Sequence, residues 1–307
     1  MSHQQNKLRI GYIPEHFSTP LHFAQKHCSL SADLIPEPLG TGALTSRLKA
    51  PADDPKAFDV AIGLTEGFVA DLGRSRAGRK EAGFGLVGTT GAEREDIKTV
   101  EDLRGKRVGV SRIGSGSYVM SYVLADSHGW LSNSSRQEGE GKEEAEPFGI
   151  EVIGDFAALR KSVRKESDAG GKETDFFMWE HFTTKHYWDN GELKRIGEIY
   201  TPWPSWMIAA RDPGDARLEG MFEAIDKGVQ YYKQHKEEAV EYISTAMHYS
   251  KPDAEAWMET VRFAEDGVRG VKVEVVGDTV KVLKKAGVLD EKAGDGREGM
   301  VAIARGP

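Results

Sequence analysis

The chain has 307 residues, 39% of them hydrophobic and 9% aromatic, which is enough to bury a core and excludes wholesale disorder. Its 41 basic and 49 acidic side chains give a formal charge of −8 and a pI near 5.7, so neither nucleic acid nor an anionic membrane surface is expected as its main partner. A single cysteine, Cys28, rules out a disulfide framework and any cysteine-built metal centre, and no apolar run reaches the roughly 18 residues of a membrane span.

Residues 1–9 are polar and run straight into a strand, with no signal-peptide pattern, so a cytoplasmic location is expected. At roughly 100–200 residues per domain the length fits two domains. The first strand is read over residues 8–13, stopped by Pro14, and Thr19-Pro20 reads as a helix cap with proline at the first helical position. Residues 34–39 are extended, and their two prolines favour an edge. A helix is expected over 43–49, a strand over 58–63, a helix over 66–72 and a strand over 84–88. A second alternation follows: a short helical turn at 100–106, a strand at 107–110, and a Gly/Ser loop opening a helix that runs to about residue 128. Residues 132–147 are Ser, Gly, Glu, Gln and Lys with hardly an apolar side chain, and read as a mobile polar insertion. Beyond it come a strand at 150–153, a helix at 156–165, a polar loop at 164–174 and strands at 176–179 and 206–210. Helices with three- and four-residue apolar spacing occupy 217–235, 236–247, 252–264 and 278–286, the last capped by Gly287. The alternation predicts an α/β protein with largely parallel sheets.

No phosphate-binding Gly-x-x-x-x-Gly-Lys loop, complete Gly-x-Gly-x-x-Gly, Gly-x-Ser-x-Gly elbow or His-Glu-x-x-His occurs. Ser46…Lys49 and Ser162…Lys165 match Ser-x-x-Lys, but each sits in a plain helical stretch. His181 and His186 are five residues apart, off a common helix face, so no metal ligand set and no cofactor is expected.

What the sequence offers instead are small residues where strands end. Ser111-Arg112-Ile113-Gly114-Ser115-Gly116-Ser117 leads from strand to helix. There unpaired first-turn amides, the positive end of the helix dipole and the Arg112 guanidinium can meet a carboxylate, sulfonate or phosphate. The competing reading is an ordinary Ser-capped turn with Arg112 solvated or paired. Gly40-Thr41-Gly42 and Gly63-Leu64-Thr65-Glu66 repeat the logic more weakly. Ligands of open α/β sheets gather at such strand ends. Glu15 and His16 follow the first strand, where His16 reads equally as a capping or core residue. Trp179-Glu180 ends a later one and Trp203-Pro204-Ser205-Trp206 introduces another, their indoles suited either to a concave small-molecule site or to the core.

The order of these pieces resembles the type II periplasmic-binding-protein fold, closest to the family of aliphatic sulfonate-, nitrate- and thiamine-pyrimidine-precursor-binding proteins. The likeness is carried by Arg9-Ile10-Gly11-Tyr12, by Phe58-Asp59-Val60-Ala61-Ile62, by the stretch 100–115 with its Asp102-Leu103-Arg104-Gly105-Lys106, and by Asp175-Phe176-Phe177-Met178-Trp179-Glu180. The opening Gly11-Tyr12-Ile13-Pro14-Glu15-His16-Phe17-Ser18-Thr19-Pro20 looks like that of a fungal intracellular group of this fold.

The resemblance implies two lobes with a ligand cleft between them: residues 1–88 with 205–307, and 89–204 carrying the insertion at 132–147. It implies a ligand wall of Glu15, His16, Thr41, Gly42, Leu64 and Thr65 in the first lobe, and of Ser111, Arg112, Gly114, Ser115, Gly116, Ser117, Trp179 and Glu180 in the second. The expected function is binding of a small polar or anionic metabolite by a homologue of transporter substrate-binding proteins, without turnover. The alternative is an enzyme on the same scaffold, a lyase or thiamine-precursor-synthase-like protein using Glu15, His16 and Glu180. A scaffold whose cleft binds nothing is the third reading. The pyrimidine-precursor synthases of this fold use a cysteine-rich stretch, and a chain with Cys28 alone gives no basis for that activity.

Overall fold

The computed structural model describes residues 7–74, 85–131, 146–166, 172–247, 249–290, 292–294 and 300–305 (backbone alone at 73–74 and 85–87). In chain order its elements are β1 (Leu8–Tyr12), α1 (Thr19–His27), β2 (Ala32–Pro36), α2 (Thr41–Lys49), β3 (Val60–Leu64), α3 (Thr65–Arg74), β4 (Gly85–Gly91), β5 (Arg107–Val110) and α4 (Gly116–Ser127). Then come β6 (Gly149–Val152), α5 (Phe156–Val163), β7 (Phe176–Glu180), α6 (His181–Asp189), β8 (Leu193–Tyr200), β9 (Trp206–Ala210), α7 (Arg217–Gln234), α8 (Lys236–Ala246), α9 (Lys251–Thr260) and α10 (Val273–Lys285). Two compact units result. One is Met1–Phe84, Pro202–Lys281 and Leu289–Pro307; the other is Gly85–Thr201 with Val282–Val288. The division therefore falls before β4, and the end of α10 joins the second unit. Fourteen positions of the expected polar insertion, 132–145, lie outside the described residues.

In the first unit the strand order is β2-β1-β3-β9, with β1 parallel to both neighbours and β9 antiparallel to β3. Ile10, Val60 and Ile208 pack against Leu21 and Ala24 of α1 and Phe222, Ile225 and Val229 of α7. The burial of α7 at Leu218, Met221, Phe222, Ile225, Val229 and Tyr232 is the three-and-four spacing of a helix laid on a sheet. The second unit has the order β6-β5-β7-β4-β8; β5 is parallel to β6 and β7, whereas β4 is antiparallel to both β7 and β8. Neither sheet is thus wholly parallel. Neither α6 nor β8 is among the elements expected from the sequence. The latter is an edge strand bearing Lys194, Arg195 and Glu198, and charge on an edge, which deters further pairing, also hides the strand's apolar alternation.

Several ends moved by a few residues. Helix α1 starts after a 3-10 turn at His16–Ser18, so Ser18 is the cap position and Pro20 lies inside the first turn. Helix α10 begins five residues before the expected Asp278. Its end is as expected: Gly287 adopts φ +64°, and Gly287 and Val288 donate to the carbonyls of Lys284 and Leu283 at 2.9 Å each. Among the described residues no helix is long and apolar enough to cross a membrane.

Half-buried ion pairs pin both sheets. Asp59 accepts from the Arg9 amide at 2.9 Å and from its guanidinium at 3.0 Å. Asp175 accepts from Arg94 at 3.0 Å and from the Arg107 amide at 2.7 Å, tying β7 to β5. Burial alone would raise both carboxyls, but these donors and the nearby cations hold them below the ordinary 3.8. His22 is pushed below its ordinary 6.5 by burial. In each case the unfolded chain takes up the proton first as acid is added, so the contribution is complete above the unfolded value and lost as the pH falls through the folded one. The unfolding free energy is expected to fall on acidification in two stages, shallowly from below about pH 6.5 and steeply below about pH 4. Urea midpoints from pH 7 to pH 3 check this; Asp175→Asn should weaken the neutral-pH protein and flatten the acid limb, and a midpoint that rises with acid would refute it.

Candidate functional site

Strand ends in both units feed directly into helices, and the question at each is whether the first-turn amides are already occupied. In the second unit β5 ends at Val110 and residues 111–115 turn into α4. Gly114 takes φ +76°, which a side chain would strain, and Ser115 returns to an extended conformation as the cap. The Ser115 hydroxyl accepts from the Tyr118 amide at 3.3 Å and lies 3.0 Å from the Ser117 hydroxyl; both serines are buried. Tyr118 in turn donates from its hydroxyl to the Ala286 carbonyl at 3.1 Å, fixing the helix tip. The amides of Gly116 and Ser117 have no acceptor among the described residues. Ser111 and Arg112 are half-buried beside them, and Ile113 stands 55% exposed.

In the first unit α2 presents the same pattern. Gly40, at φ +83°, is the cap residue, and the amides of Thr41 and Gly42 have no acceptor among the described residues. The Thr41 hydroxyl accepts from the Leu64 amide at 2.9 Å, which fastens the helix start to the end of β3. This fit needs glycine opposite: a Cβ on Gly67 would come 2.7 Å from the Thr41 methyl.

At two other helix starts the protein's own groups occupy part of the first turn. At α3 the Thr65 amide donates to the Ser205 carbonyl at 2.7 Å, the Thr65 hydroxyl bonds the Pro204 carbonyl, and Thr65 is fully buried. Next to it Glu66, 1% exposed, accepts from the Trp203 indole at 3.2 Å. At α6 the Glu180 carboxylate caps the helix, accepting from the Thr183 amide at 2.6 Å and its hydroxyl at 2.8 Å. An anion there would meet a carboxylate already in place.

The remaining predicted residues fall into packing positions. Trp179 stacks on Phe156 at 5.2 Å, over the Leu159, Val163, Phe177 and Leu193 cluster. His16 is 1% exposed, with Phe17, Tyr249 and Trp257 rings at 4.4, 4.7 and 4.2 Å. Glu15, a half-buried residue, precedes the 3-10 turn, its carbonyl accepting from the Ser18 amide at 2.8 Å. Leu64 is half-buried at the end of β3. Among the described residues no three His, Cys, Asp or Glu side chains converge as a metal site. Tyr249 and Trp257 are not among the residues the sequence points to, and Glu66 and Ser205 enter there only as members of longer motifs, outside the expected ligand wall. Only Glu66 carried a local signal, as an acid in the first turn after a strand; the others reach their places from distant segments.

The profile of the Ca3427-like periplasmic-binding-protein family matches residues 87–199, within the second unit. The solved Candida albicans CA3427 gene product, described as defining a family with the generic periplasmic-binding-protein fold, is 35% identical over 98% of both chains, with a TM-score of 0.82. This chain belongs to that family. Wider likeness shows the type II fold alone. The periplasmic aliphatic sulphonate-binding protein SsuA of Escherichia coli is 15% identical over 98% of this chain and 94% of its own, with a TM-score of 0.64. The zinc-bound ligand-binding component of an ABC-type import system from Staphylococcus aureus is 12% identical over 95% and 96%, with a TM-score of 0.68. No curated protein matched the chain. The Ca3427-like chain thus combines the fold of solute-binding proteins with starts of α2 and α4 whose first amides have no acceptor among the described residues.

Proposed function

We propose that this Ca3427-like chain binds a small polar or anionic metabolite, of sulfonate, carboxylate, phosphate or pyrimidine-precursor type, and that its two units close on it without turnover. The start of α4 carries the reading: two uncommitted amides, two buried serine hydroxyls and a glycine whose φ of +76° clears the approach. Such a tip favours negative charge through aligned N–H donors and the helix dipole, with Arg112 close in sequence to add a charge-assisted contact. The α2 start, with Thr41 and Gly42, supplies a second donor set from the first unit. In this reading Thr65 and Glu180 act by holding helices rather than by touching ligand, and the Ca3427-like fold supplies the solute-binding scaffold.

The test is a thermal-shift screen of anionic metabolites, followed by calorimetry and mass analysis of the recovered ligand. A true ligand at a hundred times its Kd should stabilise the chain by about 2.7 kcal/mol, be recovered chemically unchanged, and reduce the radius of gyration in solution scattering. A broad anion screen without any stabilising compound would remove the proposal, and recovery of an altered compound would replace it with an enzyme.

A further inference from the structure

In the sheet of the first unit Tyr12 pairs with Ile62 and Ile62 with Ile208, so these three side chains stand in one row on one face. Trp206, two positions before Ile208 in β9, continues that face toward the carboxyl ends of β1 and β3. Leu21 of α1 and Ile225 and Val229 of α7 cover the row, and a cavity of about 70 Å³ lies between. One level down the packing is closed: Ile10 and Val60 have no exposure, whereas Tyr12, Trp206, Ile208 and Val268 keep 6–8%. The gap persists because its walls are stiff. Ile62, Ile208, Ile225, Val229 and Val268 are β-branched and largely fixed about χ1, so they do not swing inward to fill it. The covering helices already touch where Gly228 of α7 meets the Pro20 carbonyl of α1, which leaves them no room to draw closer.

No charged side chain among the described residues lines this space. The Ser18 hydroxyl donates to the Glu15 carbonyl at 2.7 Å, and the Trp206 ring nitrogen is buried within the protein, so its indole meets the space with carbon. Tyr12 brings the one remaining side-chain hydroxyl, which burial keeps protonated. The volume is several times the roughly 10–15 Å³ that one water occupies, but a buried water needs two to four polar partners, which this lining does not offer. An apolar cavity of about 150 Å³ takes up benzene or xenon, and half that volume suits a xenon atom or a short branched hydrocarbon. Wall atoms that face a void forfeit dispersion contacts, and such a guest restores them.

We propose that this cavity is a second binding site, for a small uncharged apolar molecule of that size. It is separate from the starts of α2 and α4 and stands or falls without them. Xenon is the probe, since it binds by size and dispersion alone. Methyl NMR of the full chain under rising xenon pressure should show saturable shifts at Ile62, Ile208, Ile225 and Val229, and isobutane should displace the xenon. Val229→Phe puts a ring where the guest would lie, so it should weaken xenon by about ten-fold or more while the urea midpoint stays at or above the parent's. Val229→Leu, the smaller increment, should weaken xenon by a lesser factor and raise the midpoint. Shifts scattered over other methyls, parental xenon affinity in both variants, or a midpoint lowered in both, as in a core with no room to spare, would each overturn the proposal. Ser117→Asp should leave the xenon shifts intact, so failure of the anion site and failure of this one read out separately.

Discussion

Ser117→Asp is expected to eliminate binding of an anionic ligand while leaving the fold in place. Ser117 is the second residue of α4 and is buried beside the Ser115 hydroxyl. An acid in the first turn of a helix is favoured by the dipole, by about 0.3–1 kcal/mol, so the helix itself has no reason to fray. The same carboxylate would sit about 4 Å from a bound anion, and at an effective dielectric of about 20 that repulsion is about 4 kcal/mol, roughly a thousand-fold in affinity. Ser117→Asn separates charge from shape, since it should retain most of the binding. Calorimetry with the best anion from the screen reads the affinity, and urea unfolding reads the fold. Parental affinity in the aspartate variant would exclude α4 from the site.

The second large effect is structural. Gly228 lies on the face of α7 that meets α1, where an added Cβ would stand 2.3 Å from the Pro20 carbonyl oxygen and 2.8 Å from both the amide nitrogen and Cβ of Ala24. Those are largely backbone atoms, which cannot rotate away as a side chain can. Gly228→Ala should therefore destabilise by about 1–3 kcal/mol and Gly228→Val by more, even though alanine gains nearly 1 kcal/mol over glycine in an open helix. Gly220 in the same helix is the control: nothing lies within 4 Å of its Cβ position, so Gly220→Ala should stabilise by about 0.5–1 kcal/mol. Opposite signs from two identical substitutions in one helix would show that close approach to α1, rather than propensity, governs Gly228. A stabilising Gly228→Ala would mean that α1 and α7 are not packed this way.

Much of the fold was legible because it rests on local periodicity. The strand at 107–110 and the Gly/Ser turn into α4 were read at their observed positions, since β-branched residues followed by Gly114 and capping Ser115 give an unambiguous switch of period. Gly287 was legible as a cap for the same reason. Strand β8 was not, because an edge strand with charged side chains need not alternate, and its place is set by pairing with β4. The candidate site was legible only as a set of equivalents. Five strand ends looked alike in sequence, and Glu15–His16, Gly40–Gly42, Leu64–Thr65, Ser111–Ser117 and Trp179–Glu180 all qualified as ligand wall.

At α6 the distinguishing group is local, the Glu180 carboxylate on the Thr183 amide, but elsewhere it lies far along the chain. Ser205 reaches back 140 positions to occupy the amide of Thr65, and Trp203 engages Glu66 beside it. His16 is enclosed by Tyr249 and Trp257, more than 230 positions away. The amino-acid order alone determined where strands hand over to helices, because turn chemistry and capping act within a few residues. Which of those helix starts still has amides to offer was decided by tertiary structure, since an N–H group is spent or kept according to whichever distant carbonyl or carboxylate the fold brings within about 3 Å.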